Sequence, residues 1–354
     1  MTNMQTKKRD YALDFLKIAA TLILVLHHYE RAFGLQFEVL NFGSGRFYCG
    51  WIVELFFMIS GYLSLGYVDR IHDGLTFSRY FTSRYLRLIP LTLLSTALIT
   101  VLYVAVSGGK NFSLFPTLAI AFGFNPGIWV TDLILNMHLW YLSVLLICCS
   151  VLFVIIRLAQ RLRINWIYGC LFMVVLGVSA YSALLNIPFL NEVTARGYMS
   201  FFTGLVLSAI LKDRRPGIIS ALSSLMVLLI SVLIFIFRFE LLEYGLVFYL
   251  DFVFYPALIV LFEYAPVQKL FNCRIFGTLA RISFNVYIWH YEMNIICSYA
   301  NAFLKFGIDF SSRVTEIAVL ILNIAVGAVS YYVIERPLNA LIKKLQGRMS
   351  ESGC

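Results

Sequence analysis

Charged residues are scarce in this sequence, at 13% of its 354 positions, whereas hydrophobic residues make up 60%. A soluble globular chain has about 25% charged and about 45–50% apolar residues, so the composition excludes a soluble domain and predicts a protein of the lipid bilayer. The 7 cysteines are scattered, mostly inside apolar runs, with no CxxC pair and no Cys/His spacing that suits zinc. We therefore expect neither a disulfide framework nor a metal site. Internal repeats and low-complexity linkers are also missing.

The net charge of +9 does not indicate a nucleic-acid-binding protein, because the basic residues occur in short clusters between apolar runs. The first apolar run follows Lys7, Lys8 and Arg9, as the core of a signal peptide would. It nevertheless contains Asp14 and Lys17 and ends without a small-residue cleavage site. We interpret it as a retained first span, with a cleaved signal peptide as the alternative.

Mainly apolar runs of the length that crosses a bilayer as a helix, about 20 residues, occur ten times. They lie near residues 13–33, 47–68, 88–106, 138–156, 165–185, 197–211, 217–237, 244–264, 282–303 and 314–334. The segment 112–136 is broken by prolines and glycines, and we predict an outer loop there with an interfacial or re-entrant piece. If it spans the bilayer instead, the C-terminus changes sides. The sequence thus predicts an all-α polytopic membrane protein with about ten transmembrane helices.

Basic residues predict the orientation, because short cytoplasmic loops carry an excess of Lys and Arg. With ten spans and the N-terminus inside, 21 of the 28 Lys and Arg residues fall on the cytoplasmic side and 7 on the other. We therefore expect both termini in the cytoplasm and a single transmembrane domain over residues 1–354. Residues 1–12 are its cytoplasmic N-terminus, and 336–354 form a basic tail that can lie on the inner leaflet.

One face of the first predicted helix carries a polar stripe made of Asp14, Lys17, Thr21, Leu24, His28 and Arg31. Lys17 and His28 are eleven positions apart, so they point the same way about 16 Å from each other along the helix. An ionisable group at mid-membrane costs on the order of 2.5–3.5 kcal/mol unless it faces a polar cavity or another such group. The stripe therefore predicts a functional site. The alternative is interfacial anchoring by Asp14 and Lys17 at one end and His28 at the other.

The second span, WIVELFFMISGYLSLGY, places Ser60 and Gly61 deep in the bilayer. Small residues at that depth allow close helix packing, which explains them without a further function. Glu54, by contrast, is an ionisable residue within an apolar span and therefore needs a charged or hydrogen-bonding partner.

Arg84 and Arg87 lie one helical turn apart at the mouth of the third span, with Arg79 nearby. Two guanidinium groups at this spacing suit a phosphate-rich ligand, although ordinary cytoplasmic anchoring explains them as well. The last span ends in YYVIERPL, where Glu335 either belongs to a helix stop or pairs with Arg84, Arg87 or Lys17.

The fourth span begins with HLWYL, which places His138, Trp140 and Tyr141 at the outer interface. An aromatic belt explains the Trp and Tyr, whereas stacking of a sugar ring on Trp140 is the functional alternative.

The ninth span, ISFNVYIWHYEMNI, carries a second polar stripe of Ser283, Tyr287 and His290, from which Glu292 is displaced. His290 either forms a hydrogen bond to a neighbouring helix or takes part in chemistry, and the sequence favours neither explanation.

Six pieces of the chain occur in a familiar order, namely DFLKIAATLILVLHH, ELFFMISGYL, RYLRLIP, HLWYL, ISFNVYIWH and IERP. Together with the ten spans, they resemble the membrane acyltransferase-3 family of bacterial polytopic acyltransferases from end to end. The first-span pattern of this family, a basic residue and a His separated by ten residues, falls on Lys17 and His28 rather than His27. The usual basic residue is Arg, so Lys17 departs from the pattern. Some members have a Glu a few residues after the Trp of the fourth span, where this chain has Leu145 and Leu146, and we expect a stand-alone member without a soluble hydrolase-like domain.

The resemblance implies O-acyl transfer, most often of acetyl, from acyl-coenzyme A to a hydroxyl of an envelope glycan or its lipid-linked precursor. It places the protein in the bacterial inner membrane, associates Arg84 and Arg87 with the donor, and matches Glu335 to the acidic residue of the last motif. His28 would be the general base on the acceptor hydroxyl, with an acyl-His intermediate as the less favoured option. Trp140 and Tyr287 are weaker candidates for acceptor binding. The expected supporting polar network consists of Asp14, Lys17, Ser60, His290 and Glu335.

A transporter or flippase for a glycolipid or organic anion is the competing class, since charged stripes in the membrane also mark transport paths. The inverted repeats and paired broken helices that many transporters use are not visible in this sequence. A structural subunit of a glycan assembly complex is a third hypothesis. The expected partners are acyl-coenzyme A, a glycan or lipid-linked saccharide, and membrane lipid, without metal or nucleic acid.

Overall fold

The computed structural model describes residues 9–35, 49–108, 113–124, 135–238, 241–242 and 245–351. In this part of the chain the secondary structure is helical, with one isolated β-bridge between Ile187 and Leu190 and no strand. The helices are α1 Tyr11–Phe33, α2 Ile52–His72, α3 Phe77–Ser107, α4 Leu114–Ala121, α5 Trp140–Leu162, α6 Trp166–Ser182, α7 Glu192–Asp213, α8 Ile218–Phe237, α9 Leu246–Glu263, α10 Ala265–Leu270, α11 Arg274–Leu304, α12 Arg313–Ser330 and α13 Arg336–Glu351. The all-α prediction is confirmed.

Eight helices of the described ranges are long and apolar enough to cross a membrane, namely α1, α2, α3, α5, α7, α8, α9 and α12. Two more, α6 with 17 residues and the 31-residue α11, lie where the fifth and ninth spans were predicted. The chain is thus a polytopic membrane protein. We call the end of the bundle where α1 begins the lower end, and the end where α1 finishes the upper end.

Helices α3, α7 and α11 begin before the residues predicted for the third, sixth and ninth spans. Helix α3 begins at Phe77, where the Thr76 side chain accepts a hydrogen bond from the Arg79 amide. Helix α7 begins at Glu192, after a capping box between Asn191 and Thr194. In both cases charged residues lower the hydropathy of the first turns while the capping residues still start a helix, so an apolarity criterion places the start too late.

The described residues 113–124, between α3 and α5, pack back against the bundle. Arg157 near the end of α5 donates to the Leu75 carbonyl just before α3, so these two helices share the lower end. Helix α4 packs back along α3, where the Thr92 hydroxyl donates to the Ala121 carbonyl over 2.7 Å. The described part of this segment therefore agrees with the predicted re-entrant piece.

Helices α2 and α7 are in close contact at two glycines. A Cβ on Gly61 would lie 1.8 Å from the Phe201 carbonyl oxygen, and one on Gly204 would lie 2.0 Å from the Met58 carbonyl oxygen. The backbones of the two helices are therefore in contact, which agrees with the packing interpretation of Gly61.

Two π-helical turns interrupt otherwise continuous helices. Leu250–Phe254 lies within α9, and Tyr331–Glu335 joins α12 to α13. Each turn carries a buried carboxylic acid, Asp251 in the first and Glu335 in the second. Asp251 accepts a hydrogen bond of 2.8 Å from the hydroxyl of Ser200 in α7, so the first turn directs an acidic side chain into the bundle.

Candidate active site between two cavities

Among the cavities formed by the described residues, two lie in opposite halves of the bundle. The upper cavity, of about 460 Å³, is lined by residues that include His28, Arg31, His138, Trp140, Tyr291 and Asn294. The lower cavity, of about 340 Å³, is lined by residues that include Lys17, Ser60, Arg84, Arg87, Tyr141 and Tyr287. No lining residue is common to both. The stripe of α1 thus contributes Lys17 to one cavity and His28 to the other.

An aromatic layer made of Tyr141 and Tyr287 lies at the inner limit of the lower cavity. The two rings are 5.9 Å apart. The Tyr287 hydroxyl donates a 2.6 Å hydrogen bond to the backbone carbonyl of His138, and the Tyr141 hydroxyl is hydrogen-bonded to Ser60 over 3.2 Å. Tyr287 therefore lines the lower cavity and is hydrogen-bonded to His138, which lines the upper one.

Three imidazole rings lie together above this layer. The His290 ring centroid is 4.9 Å from that of His28 and 4.9 Å from that of His138, and the His28 and His138 centroids are 6.3 Å apart. His290 is fully buried, and its Nδ1 lies 2.7 Å from the Tyr287 carbonyl oxygen. Within the described ranges, no group of three or more His, Cys, Asp or Glu residues is placed to hold a metal ion.

A bend at Asn136 places His138 in this cluster. Asn136 has a left-handed backbone conformation with φ of 61°, and its amide nitrogen donates to Ser95 and Thr96 over 2.8 and 3.1 Å. The Ser95 hydroxyl in turn donates to the buried carboxyl group of Glu292. This network was not predicted from the sequence. Asn adopts the left-handed backbone conformation more often than most residues, so an Asn shortly before the start of α5 was a usable indication of a bend.

Arg84 is held in the lower cavity by two tyrosine rings. Its guanidinium carbon lies 3.9 Å from the ring centroid of Tyr67 and 4.1 Å from that of Tyr80, a double cation–π arrangement. Its buried Nη1 has no hydrogen-bond partner among the described residues. Arg87, one turn further, is more exposed and lines the same cavity. The pair can therefore bind an anion that enters from the lower end.

The acidic residues near the lower end have partners of their own. Asp14 pairs with Arg9 and, at 3.4 Å, with Lys17. Glu335 accepts hydrogen bonds from Asn285 and, over 3.3 Å, from Asn339. Of the pairings left open by the sequence, the structure thus contains the one between Lys17 and Asp14, and Glu335 contacts amides instead of Lys17, Arg84 or Arg87.

Arg196 is the partner that Glu54 requires. The two side chains form a buried ion pair near the upper end, and the Arg196 guanidinium lies 4.6 Å from the Trp51 ring and 5.0 Å from the Trp140 ring. Arg196 belongs to the first turns of α7 and is 7% exposed. Arg196 thereby holds the indole that lines the upper cavity.

With this geometry established, comparison with known proteins identifies the family. A family model described as an acyltransferase domain matches residues 10–332, nearly the whole chain. The chain belongs to the acyltransferase-3 family. No curated protein and no solved structure matches it.

The structure of this acyltransferase-3 member brings most of the predicted site residues to the two cavities. His28 and Trp140 line the upper cavity, and Lys17, Ser60, Arg84, Arg87 and Tyr287 line the lower one. His290 lies in the imidazole cluster, and Asp14 contacts the cavity-lining Lys17. Glu335 lines neither cavity and is hydrogen-bonded to Asn285 instead. Membership of the family supports a membrane acyltransferase. The residues that line the two cavities are the basis for proposing its donor and acceptor.

Proposed function

We propose that this acyltransferase moves an acyl group, in the first instance acetyl, from acyl-coenzyme A to a hydroxyl of a cell-envelope glycan or its lipid-linked precursor. The proposal places the lower end and both termini of a single transmembrane domain in the cytoplasm of a bacterium, within the inner membrane. The excess of basic residues at the lower end supports this orientation. The observation that carries the proposal is the position of His28 in one cavity and of Lys17, Arg84 and Arg87 in the other.

The lower cavity has the chemistry of a site for the donor. Coenzyme A carries several phosphate groups, and planar guanidinium groups bind phosphate through paired hydrogen bonds. Arg84 is fixed by its two tyrosine neighbours and retains a terminal nitrogen without a partner among the described residues. The narrow apolar remainder of the cavity, between Ser60 and Tyr287, suits the pantetheine arm.

The upper cavity has the chemistry of a site for the acceptor. Trp140 offers an aromatic face for a sugar ring, and Asn294 is a buried amide in the wall whose donor and acceptor atoms have no partner in the described part of the chain. His28, next to them, is placed to take the proton from an acceptor hydroxyl. In this proposal the acyl end of the pantetheine arm passes the layer of Tyr141 and Tyr287 to reach the hydroxyl. The hydroxyl oxygen then attacks the thioester carbonyl carbon, the carbon–sulfur bond breaks, and the coenzyme A thiolate leaves and takes up the proton held by His28.

The test of this function is release of free coenzyme A from acetyl-coenzyme A by the purified protein in liposomes, with total envelope glycan as acceptor. We expect His28→Gln to lower turnover by about 10²–10⁴-fold, the usual contribution of a general base. His27→Gln, the matched change at the adjacent position of α1, should retain turnover. Native turnover in His28→Gln would refute the assignment of the base.

Donor binding is tested separately. Arg84→Lys keeps the charge but loses the planar group between two rings, so we expect coenzyme A to bind about tenfold more weakly, equivalent to about 1.4 kcal/mol. Arg79→Lys, on the same helix but outside the cavity lining, is the control. Absence of coenzyme A binding to the native chain would instead favour a transporter of a glycolipid or organic anion.

A further inference from the structure

His290 has a hydrogen-bonding state that its surroundings determine. A backbone carbonyl only accepts hydrogen bonds, so the 2.7 Å contact with the Tyr287 carbonyl requires a proton on Nδ1 of His290. The ring is fully buried and contacts no carboxylate in the described part of the chain, which favours the neutral form. A neutral imidazole carries one proton, so Nε2 of His290 is a bare acceptor.

This acceptor has no hydrogen-bond partner within the described ranges, although it is completely buried. Leaving a buried acceptor without a donor is unfavourable, and such groups mark places where a partner is supplied during function. The ring of His28 lies 4.9 Å away between centroids, with an interplanar angle of 54°. At that separation a small rotation of the His28 ring allows an N–H···N hydrogen bond of about 3 Å.

We infer that His290 is a positioning residue that accepts a hydrogen bond from one ring nitrogen of His28 and thereby leaves the other nitrogen of His28 bare and directed into the upper cavity. This inference rests on the proposed function, in which His28 is the base. A base acts through one nitrogen, and a partner on the second nitrogen selects the tautomer and fixes the ring orientation. Here an imidazole anchored to the Tyr287 carbonyl takes the place that a carboxylate occupies in many such pairs.

His138 is the competing donor for the same acceptor. Its ring is also 4.9 Å from that of His290, and the backbone of Ile288 is a further neighbour of the His138 ring. Because the His28 and His138 rings are 6.3 Å apart and lie on different helical elements, the two possibilities predict different tautomers for His28 and can be separated by measurement.

The first experiment measures the imidazole ¹⁵N chemical shifts of the protein in lipid, labelled at its 5 histidines and assigned by single substitutions. We expect one tautomer for His28 in the native chain and a mixture of tautomers in His290→Leu. His138→Gln should leave the His28 signals in one tautomer. A tautomer mixture in the native chain, or a His28 spectrum that responds to His138→Gln and not to His290→Leu, would overturn the inference.

The second experiment compares two substitutions by kinetics. Gln can present an oxygen acceptor near the place of Nε2, whereas Leu cannot, so we expect His290→Leu to lower kcat by at least about 10²-fold and His290→Gln to recover much of that loss. The KM for acetyl-coenzyme A should stay near the native value in both. Equal loss in the two variants would refute the positioning role. The nitrogen spectra need no substrate, so they test the inference even where the native chain shows no transfer, the result that would refute the proposed function.

Discussion

The close approach of α2 and α7 makes a quantitative prediction for Gly61→Ala. The added methyl group would lie 1.8 Å from the carbonyl oxygen of Phe201, whereas a carbon–oxygen contact requires about 3.3 Å. The two helices must therefore separate locally by about 1.5 Å, which removes a large part of the dispersion energy along their contact. We expect destabilisation of about 3 kcal/mol, the upper end of the range for overpacked sites.

The assay is unfolding of the purified protein in mixed detergent, followed by tryptophan fluorescence. Gly66→Ala is the matched control, because it lies on the same helix and its added methyl group would meet nothing within 4 Å. Gly204→Ala should behave like Gly61→Ala, since its methyl group would lie 2.0 Å from the Met58 carbonyl oxygen. One separation of the helices accommodates both methyl groups, so the double variant should cost less than the sum of the single variants. Equal stability of Gly61→Ala and Gly66→Ala would refute the packing argument.

Two further predictions concern the aromatic layer and the buried ion pair. Because the layer of Tyr141 and Tyr287 lies between the two cavities, we predict that it keeps water in the upper cavity away from the donor in the lower one. Tyr287→Phe removes the hydrogen bond to the His138 carbonyl, worth about 1 kcal/mol, so we expect acceptor-independent hydrolysis of acetyl-coenzyme A to rise about fivefold. An unchanged hydrolysis rate would contradict this barrier role. Glu54→Leu leaves Arg196 buried without its main partner and should destabilise the protein by about 3–5 kcal/mol, whereas Glu54→Leu combined with Arg196→Met should regain most of that loss in the same unfolding assay. If the single and double variants are equally unstable, the ion pair is not what the Glu54 side chain contributes.

Helical periodicity was sufficient to predict the parts of the site that lie on one helix. Lys17 and His28 share a face of α1 because they are about three turns apart, and no knowledge of the other helices is needed to see it. The re-entrant segment was likewise indicated by its prolines and glycines. Apolarity located the helices but not all of their first turns, because Arg79 in α3 and Glu192 in α7 interrupt the hydropathy without interrupting the helix.

Contacts between helices distant in the chain could not be predicted in this way. Glu54 visibly required a partner, but 142 positions separate it from Arg196, and one sequence contains no signal that joins the two. The same holds for Glu292 and Ser95, which are 197 positions apart. Which face of α11 meets α1, and hence that His290 lies beside His28, is decided by packing of side chains from several helices at once.

The two π-helical turns set the register of everything that follows them. In a regular α-helix each residue advances by about 100°, so one residue accommodated in a wider turn displaces the rest of the helix by that angle relative to an uninterrupted helix of the same sequence. Asp251 and Glu335 both lie within such turns, and both point into the bundle. Converting Tyr331–Glu335 to a regular α-helical turn without removing a residue would turn the residues after it to another face, whereas deleting one residue as well would leave them on the same face. The bundle therefore depends on the number of residues in these turns as well as on their chemical identity.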